Sequence, residues 1–291
     1  MKVRVLAVGT VLIALMAASC SDDHPKKNEG PPGAKMEHSG HAMNDQMGGG
    51  DAAEMAEPSL SLAAFPDGTI AAGKTVRIGL KLSRRADGGP VSFADLAVAH
   101  TKKLHLLIVD PSLSDYQHIH PEEGATAGNY SFLFTPKTSG GYRVWADVVP
   151  VATGKQEYVR TDFGKTSPAK IDRTESTQAT VDGYVFTLNW ESEPKAGRQT
   201  MGTVTVTKDG APFAGLEPIM AAFAHIVAFP EDFESVLHVH PMGKEPERES
   251  ERGGPTLQFH LETGKPGFVK IFAQVRIGGR ELYAPFGVRV K

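Results

Sequence analysis

From Ser59 onward the chain is written in short runs that alternate apolar and polar positions at period two. Thr75-Val76-Arg77-Ile78-Gly79-Leu80-Lys81-Leu82 is one such run, and Asn129–Phe134, Tyr142–Val148, Tyr184–Trp190 and Val204–Val206 read the same way. Successive side chains of a strand point to opposite faces, so this period predicts half-buried strands. Turn signals separate the runs: Pro66-Asp67-Gly68, Asp87-Gly88-Gly89-Pro90, Lys208-Asp209-Gly210 and Gly278-Gly279. No segment carries a sustained helical stripe with caps. The pattern predicts an all-β chain of two tandem β-sandwich domains, immunoglobulin-like or cupredoxin-like, over residues 59–168 and 178–291. Thr, Ser, Lys and Gln cluster without a strand pattern around Thr166–Ala179, and the boundary is placed there.

The first 58 residues follow another rule. Lys2 and Arg4 precede a short apolar stretch, Val5–Met16, that ends in Ala17-Ala18-Ser19-Cys20. Small residues before the only cysteine resemble a bacterial lipobox, with Ala17 where leucine is usual. The resemblance implies a signal peptide over 1–19 and a lipidated Cys20. The lipid would anchor the chain to a membrane of the cell envelope, at the periplasmic face or the outer membrane or cell surface. An ordinary secretory signal is the alternative. Residues 20–58 hold Pro31-Pro32, Gly48-Gly49-Gly50 and many polar residues without apolar periodicity, so they are expected to be a disordered tether. Met36, His38, His41, Met43 and Met47 crowd into it. Thioether suits Cu(I) and imidazole suits copper or zinc. Such tracts resemble those of bacterial periplasmic copper-handling proteins, which implies metal capture by the tether.

Composition narrows the classes further. A formal net charge of −3, with 40% hydrophobic and 22% charged residues, excludes a broad nucleic-acid footprint. One cysteine excludes intrachain disulfides, cysteine zinc fingers and dithiol redox motifs. With Cys20 committed to the anchor, a His₂Cys blue-copper centre is excluded too.

The two halves repeat one another. His105 to Pro121 aligns without a gap on His225 to Pro241, and the only identities are three histidines and the proline. Gly141–Ala146 parallels Gly267–Ala273 with a one-residue adjustment, and Asp162-Phe163-Gly164 parallels Pro285-Phe286-Gly287. His118 and His120 lie two apart, on one face of a strand, and His105 belongs to the strand expected beside it. Three imidazoles so placed can converge on one ion at about 2.0–2.1 Å. The same reasoning holds for His225, His238 and His240, so one three-histidine metal site is expected in each repeat. His100 aligns with Met220 and is a candidate extra ligand; His260 reads as a packing or surface residue. All-nitrogen coordination suits copper, with zinc as the alternative. Two sites fit binding or transfer better than a single catalytic centre, with another metal-handling protein as partner. A zinc hydrolase would need a general base, and Asp115, Asp232 and Glu234 do not match between the copies. A structural or adhesion module with buried histidine clusters is the other alternative.

The signature His-x12-His-x-His-Pro, at His105, His118, His120 and Pro121 and again at His225, His238, His240 and Pro241, resembles a group of little-characterised bacterial lipoproteins or secreted proteins with β-sandwich repeats. The similarity spans roughly residues 95–165 and 215–291. It implies fold and location more than activity.

Overall fold

The structure is a computed structural model that describes residues 57–165, 169–239 and 241–291, all within one compact unit, Asn44–Lys291. The signal segment, Cys20, the Met/His tract and His240 lie outside the described residues. The first repeat runs β1 (Leu60–Pro66), β2 (Val76–Arg84), β3 (His105–Val109), β4 (Tyr116–Ile119), β5 (Glu122–Glu123), β6 (Asn129–Phe134), β7 (Tyr142–Val148) and β8 (Glu157–Phe163). The second runs β9 (Gln178–Val181), β10 (Tyr184–Trp190), β11 (Thr200–Lys208), β12 (Ala211–Pro212), β13 (His225–Pro230), β14 (Leu237–Val239), β15 (Thr256–Leu261), β16 (Gly267–Ile277) and β17 (Arg280–Val290). No described helix is long and apolar enough to cross a membrane. The fold is all-β, as the period-two pattern predicts.

Each repeat is two antiparallel sheets packed face to face. In the first, β1-β2-β6-β5 covers β4-β3-β7-β8. In the second, β9-β10-β11, with β12 and β15 also on β11, covers β14-β13-β16-β17. Ile78, Leu80, Leu82, Phe132 and Phe134 meet Leu106, Ile108, Val144 and Ala146 in the first core. Phe186, Val204, Val206 and Phe259 meet Ile226, Ala228, Ile271 and Ala273 in the second. Outer strands keep the clean alternation: β2 is buried at every second position and wet or half-wet between.

The sheets that carry the histidines break this alternation. Every residue of β3 is buried, as are the first five of β13 and all but one of β7. Their second face packs on the other repeat. Leu107, Val109, Tyr116 and Trp145 form one cluster with Val227, Phe229, Val236 and Phe272. Tyr116 lies 5.2 Å from Phe229 and 5.1 Å from Phe272 between ring centroids, and Trp145 lies 5.6 Å from Phe229. Paired registers show that the arrangement is pseudo-symmetric: Leu107 pairs Trp145 as Val227 pairs Phe272. At the rim, Arg143 of β7 donates to the Phe233 carbonyl and to Glu234 of the second repeat, and Arg160 of β8 donates to the Glu234 carbonyl.

A shared aromatic core of this kind ties the two sandwiches into one cooperative unit. Calorimetry of the native chain should show a single unfolding transition. Trp145→Ala, which empties the centre of the interface, should cost about 3–5 kcal/mol and split the transition in two. Two separate transitions in the native chain would contradict the shared core.

Candidate metal centre

The histidines of both repeats converge at one end of this interface. His105 opens β3 and pairs Asp147 of β7; His225 opens β13 and pairs Gln274 of β16. On the edge strands, His118 pairs Leu107 and His238 pairs Val227. His120 follows β4 by one residue, and with Ile119 turned into the first core, His118 and His120 share the opposite face. His105, His118 and His120 offer ligand nitrogens that all lie within 4.8 Å of one another, and so do His118, His225 and His238.

This differs in one respect from two separate sites. The groups abut across the interface and have His118 in common. Ring centroids of His118 and His238, from opposite repeats, are 5.3 Å apart, and those of His105 and His238 are 5.8 Å apart. His100 also reaches the cluster, 6.1 Å from His105 and 5.9 Å from His238. His260 does not: it pairs Met201 on the far sheet.

The proton on each ring is fixed by what its other nitrogen touches. His105 Nε2 lies 2.9 Å from the Ala99 carbonyl, and His225 Nε2 lies 3.2 Å from the Ile219 carbonyl. A carbonyl only accepts, so both Nε2 atoms carry hydrogen, and in the neutral tautomer that this selects Nδ1 is the acceptor atom. Tight turns aim these carbonyls: His100-Thr101 and Met220-Ala221 all take positive φ, between 48° and 69°. His118 Nδ1 donates to Gln274 Oε1 at 2.9 Å, and His238 Nδ1 donates to Asp147 Oδ2 at 2.7 Å. Their Nε2 atoms therefore face the cluster with lone pairs.

In each repeat these ring nitrogens face each other at close range. His105 Nδ1 is 3.1 Å from His118 Nε2, and His225 Nδ1 is 3.0 Å from His238 Nε2. His120 Nε2 is a further 3.1 Å from His105 Nδ1. Nitrogens at 2.0–2.1 Å from one ion, 90–110° apart, are separated by about 2.9–3.4 Å. The spacing fits ligands around a metal ion, and it is also the length of a hydrogen bond.

A bridging proton is the competing explanation. Burial holds the imidazolium forms of His118 and His238 well below their ordinary range, and neighbouring histidines add to this; burial, with His105 and Lys102, sets His120 at about 3. Asp147 is 3% exposed, and burial raises its pKa. A cation bound to the neutral imidazoles of His118 and His238 would favour the ionised form of Asp147.

The supporting residues come from the opposite repeat. Asp147 of the first holds His238 of the second, and Gln274 of the second holds His118 of the first. Gln156 Nε2 in turn donates to Asp147 at 2.8 Å and to the Tyr158 hydroxyl at 3.1 Å. Gln274 Nε2 donates to Glu281 at 2.8 Å and to the Tyr283 hydroxyl at 3.1 Å. These residues are absent from the histidine signature.

Metal-free protein should lose stability in mild acid. The unfolded chain takes up protons below about pH 6.5, while His118, His120 and His238 in the folded chain do not. Each contributes stability that is full above that pH and falls by up to about 1.4 kcal/mol per pH unit below it, until its folded pKa is reached. Asp147, raised by burial, works in the opposite sense, but one carboxyl does not offset three imidazoles. Denaturant midpoints in chelator should fall steadily from pH 6.5 to pH 5; an unchanged midpoint would contradict the buried neutral cluster.

A family model described as a domain of unknown function, DUF8832, matches residues 61–163 and, in a second copy, residues 179–291. No curated protein matches the chain. Among solved structures, Escherichia coli alpha-2-macroglobulin activated by porcine elastase is 15% identical over 80% of this chain, with a TM-score of 0.24. Salmonella alpha-2-macroglobulin reacted with methylamine is 13% identical over 84%, with a TM-score of 0.24. The chain spans only 20% and 15% of those two proteins. The D00-D0 domain of Intimin is 16% identical over 80% of this chain and 99% of its own, with a TM-score of 0.22. None of these likenesses carries an argument about the site. The two segments matched by the family model make up most of the sequence, and the chain belongs to the DUF8832 family as two tandem copies of its domain.

Proposed function

We propose that this protein binds a transition-metal ion, copper foremost, in the histidine cluster between its repeats, and does so in the cell envelope on a lipid anchor at Cys20. The observation that carries the reading is the convergence of His105 Nδ1, His118 Nε2 and His120 Nε2, with 3.1 Å separations to His105 and the opposite nitrogens of His105 and His118 engaged. Supporting partners on the far nitrogen of a ligand histidine fix its tautomer and orientation and raise its basicity. An all-nitrogen donor set suits Cu(II) or Zn(II), and copper stands highest in the divalent affinity series. The Met36, His38, His41, Met43 and Met47 tract would collect copper for the cluster, and another metal-handling protein would supply or receive it.

The test uses the full chain with those five tract residues changed to alanine. Titrated separately with Cu(II) and Zn(II), it should bind tightly. His105→Ala with His118→Ala should weaken binding by more than about 100-fold, beyond the 10–100-fold typical of a lost supporting partner. Absence of tight binding, or binding indifferent to the double substitution, would leave the cluster as a polar network of the interface.

A further inference from the structure

The two repeats surround the cluster with a close pseudo-two-fold. Ring centroids of His105 and His118 lie 5.3 Å apart, and those of His225 and His238 lie 5.2 Å apart. Across the interface the match is as good, with 5.8 Å from His105 to His238 and 5.7 Å from His225 to His118. The symmetry extends to the turns that aim the carbonyls. Ala99 and Lys102 exchange backbone hydrogen bonds of 2.8 and 3.0 Å, and Ile219 and Ala222 exchange bonds of the same two lengths. At the first residue of each turn φ is 49° for His100 and 48° for Met220. The backbone therefore gives Met220 the place, relative to its own repeat, that His100 has in the other.

His100 is half-buried, and its ring lies 6.1, 6.2 and 5.9 Å from those of His105, His225 and His238. Exchange of the repeats turns that set into His225, His105 and His118, so these rings surround the position of Met220. Met220 is half-buried too, and its unbranched, flexible side chain can follow the direction that the His100 ring takes. Turn chemistry gives no reason for methionine at this point, since two-residue turns with positive φ favour Asn, Asp and Gly. A residue held in that backbone region against its preference points to a role for its side chain. Resting on the metal-binding reading above, we propose that Met220 is a thioether ligand at the rim of the histidine cluster and the residue that makes the cluster prefer Cu(I). Soft sulfur selects Cu(I), whereas imidazoles alone suit copper and zinc alike. Lys102, whose charge acts on His120, is replaced by Ala222 on the Met220 turn, so an incoming cation does not meet that repulsion there.

The experiment loads the full chain, with the five tract residues changed to alanine, with Cu(I) under anaerobic conditions. X-ray absorption at the copper edge is recorded beside separate titrations with Cu(I) and Zn(II). This parent chain should show sulfur among the copper ligands, and Met220→Leu, similar in size and apolar, should lose it. The substitution should weaken Cu(I) binding about 10–100-fold, no less than a lost supporting partner does, and leave Zn(II) binding unchanged. Met220→His copies the residue of the first turn and so suits the same backbone. It should lose the sulfur as well, and it is the independent arm if Met220→Leu fails to fold. Nitrogen ligands alone in the parent, a sulfur that survives both substitutions, or equal weakening of Cu(I) and Zn(II) by Met220→Leu would overturn the role of Met220 while leaving metal binding intact. A parent chain that binds neither ion would overturn both.

Discussion

The constraint on which this structure depends is that, among the described residues, two of the four sheets have central strands buried on both faces. The sheets carrying β3 and β13 serve their own sandwich on one side and each other on the opposite side. Leu106 and Ile108 point into the first core, and Leu107 and Val109 point into the second repeat. The histidines sit where these doubly buried strands begin, so an ordinary surface position becomes a dry one. His105 is 1% exposed and His225 is 0% exposed. In such a place each polar atom needs a partner, and that requirement fixes the tautomers.

Partner choice across the interface makes the site a property of the pair. Each edge-strand histidine is held at Nδ1 by a side chain of the other repeat. Tyr158 hydrogen-bonds the backbone of His238, and Tyr283 that of His118, so even the main chain of each edge strand is tied to the opposite repeat. Such reciprocity is the isologous logic of a two-fold dimer, here joined in one chain. Fusion frees the two copies to diverge, and the reversed acid–amide order at Asp147–Gln156 and Gln274–Glu281 is a divergence that identical subunits could not make.

Much of this was legible in the sequence. Period-two alternation marks β2, β6 and β10, and the gapless match of His105–Pro121 on His225–Pro241 picks out His105, His118, His120, His225 and His238, which converge. The interface was written there as well, in a less familiar form. His105-Leu-Leu-Ile-Val109 and His225-Ile-Val-Ala-Phe229 are unbroken apolar runs after their histidines, the pattern of strands with no wet face. Taken as ordinary sandwich strands, they lead to two separate sites instead of one contiguous cluster. The supporting pair was one residue away: the downstream match of the repeats ends at Ala146 and Ala273, and the next residues are Asp147 and Gln274. A lone polar residue in an apolar strand is the available signal for them. What no spacing reveals is that each serves the histidine of the other repeat, because that follows from the packing of the sheets.

The central claim is that the facing imidazole nitrogens are ligands to an ion. Anomalous diffraction from crystals of the full chain grown with copper, recorded on both sides of the copper edge, tests it directly. The account predicts a peak at about 2.0–2.1 Å from His105 Nδ1, His118 Nε2 and His120 Nε2. Copper found only elsewhere on the chain, with a water molecule between those imidazoles, would contradict it.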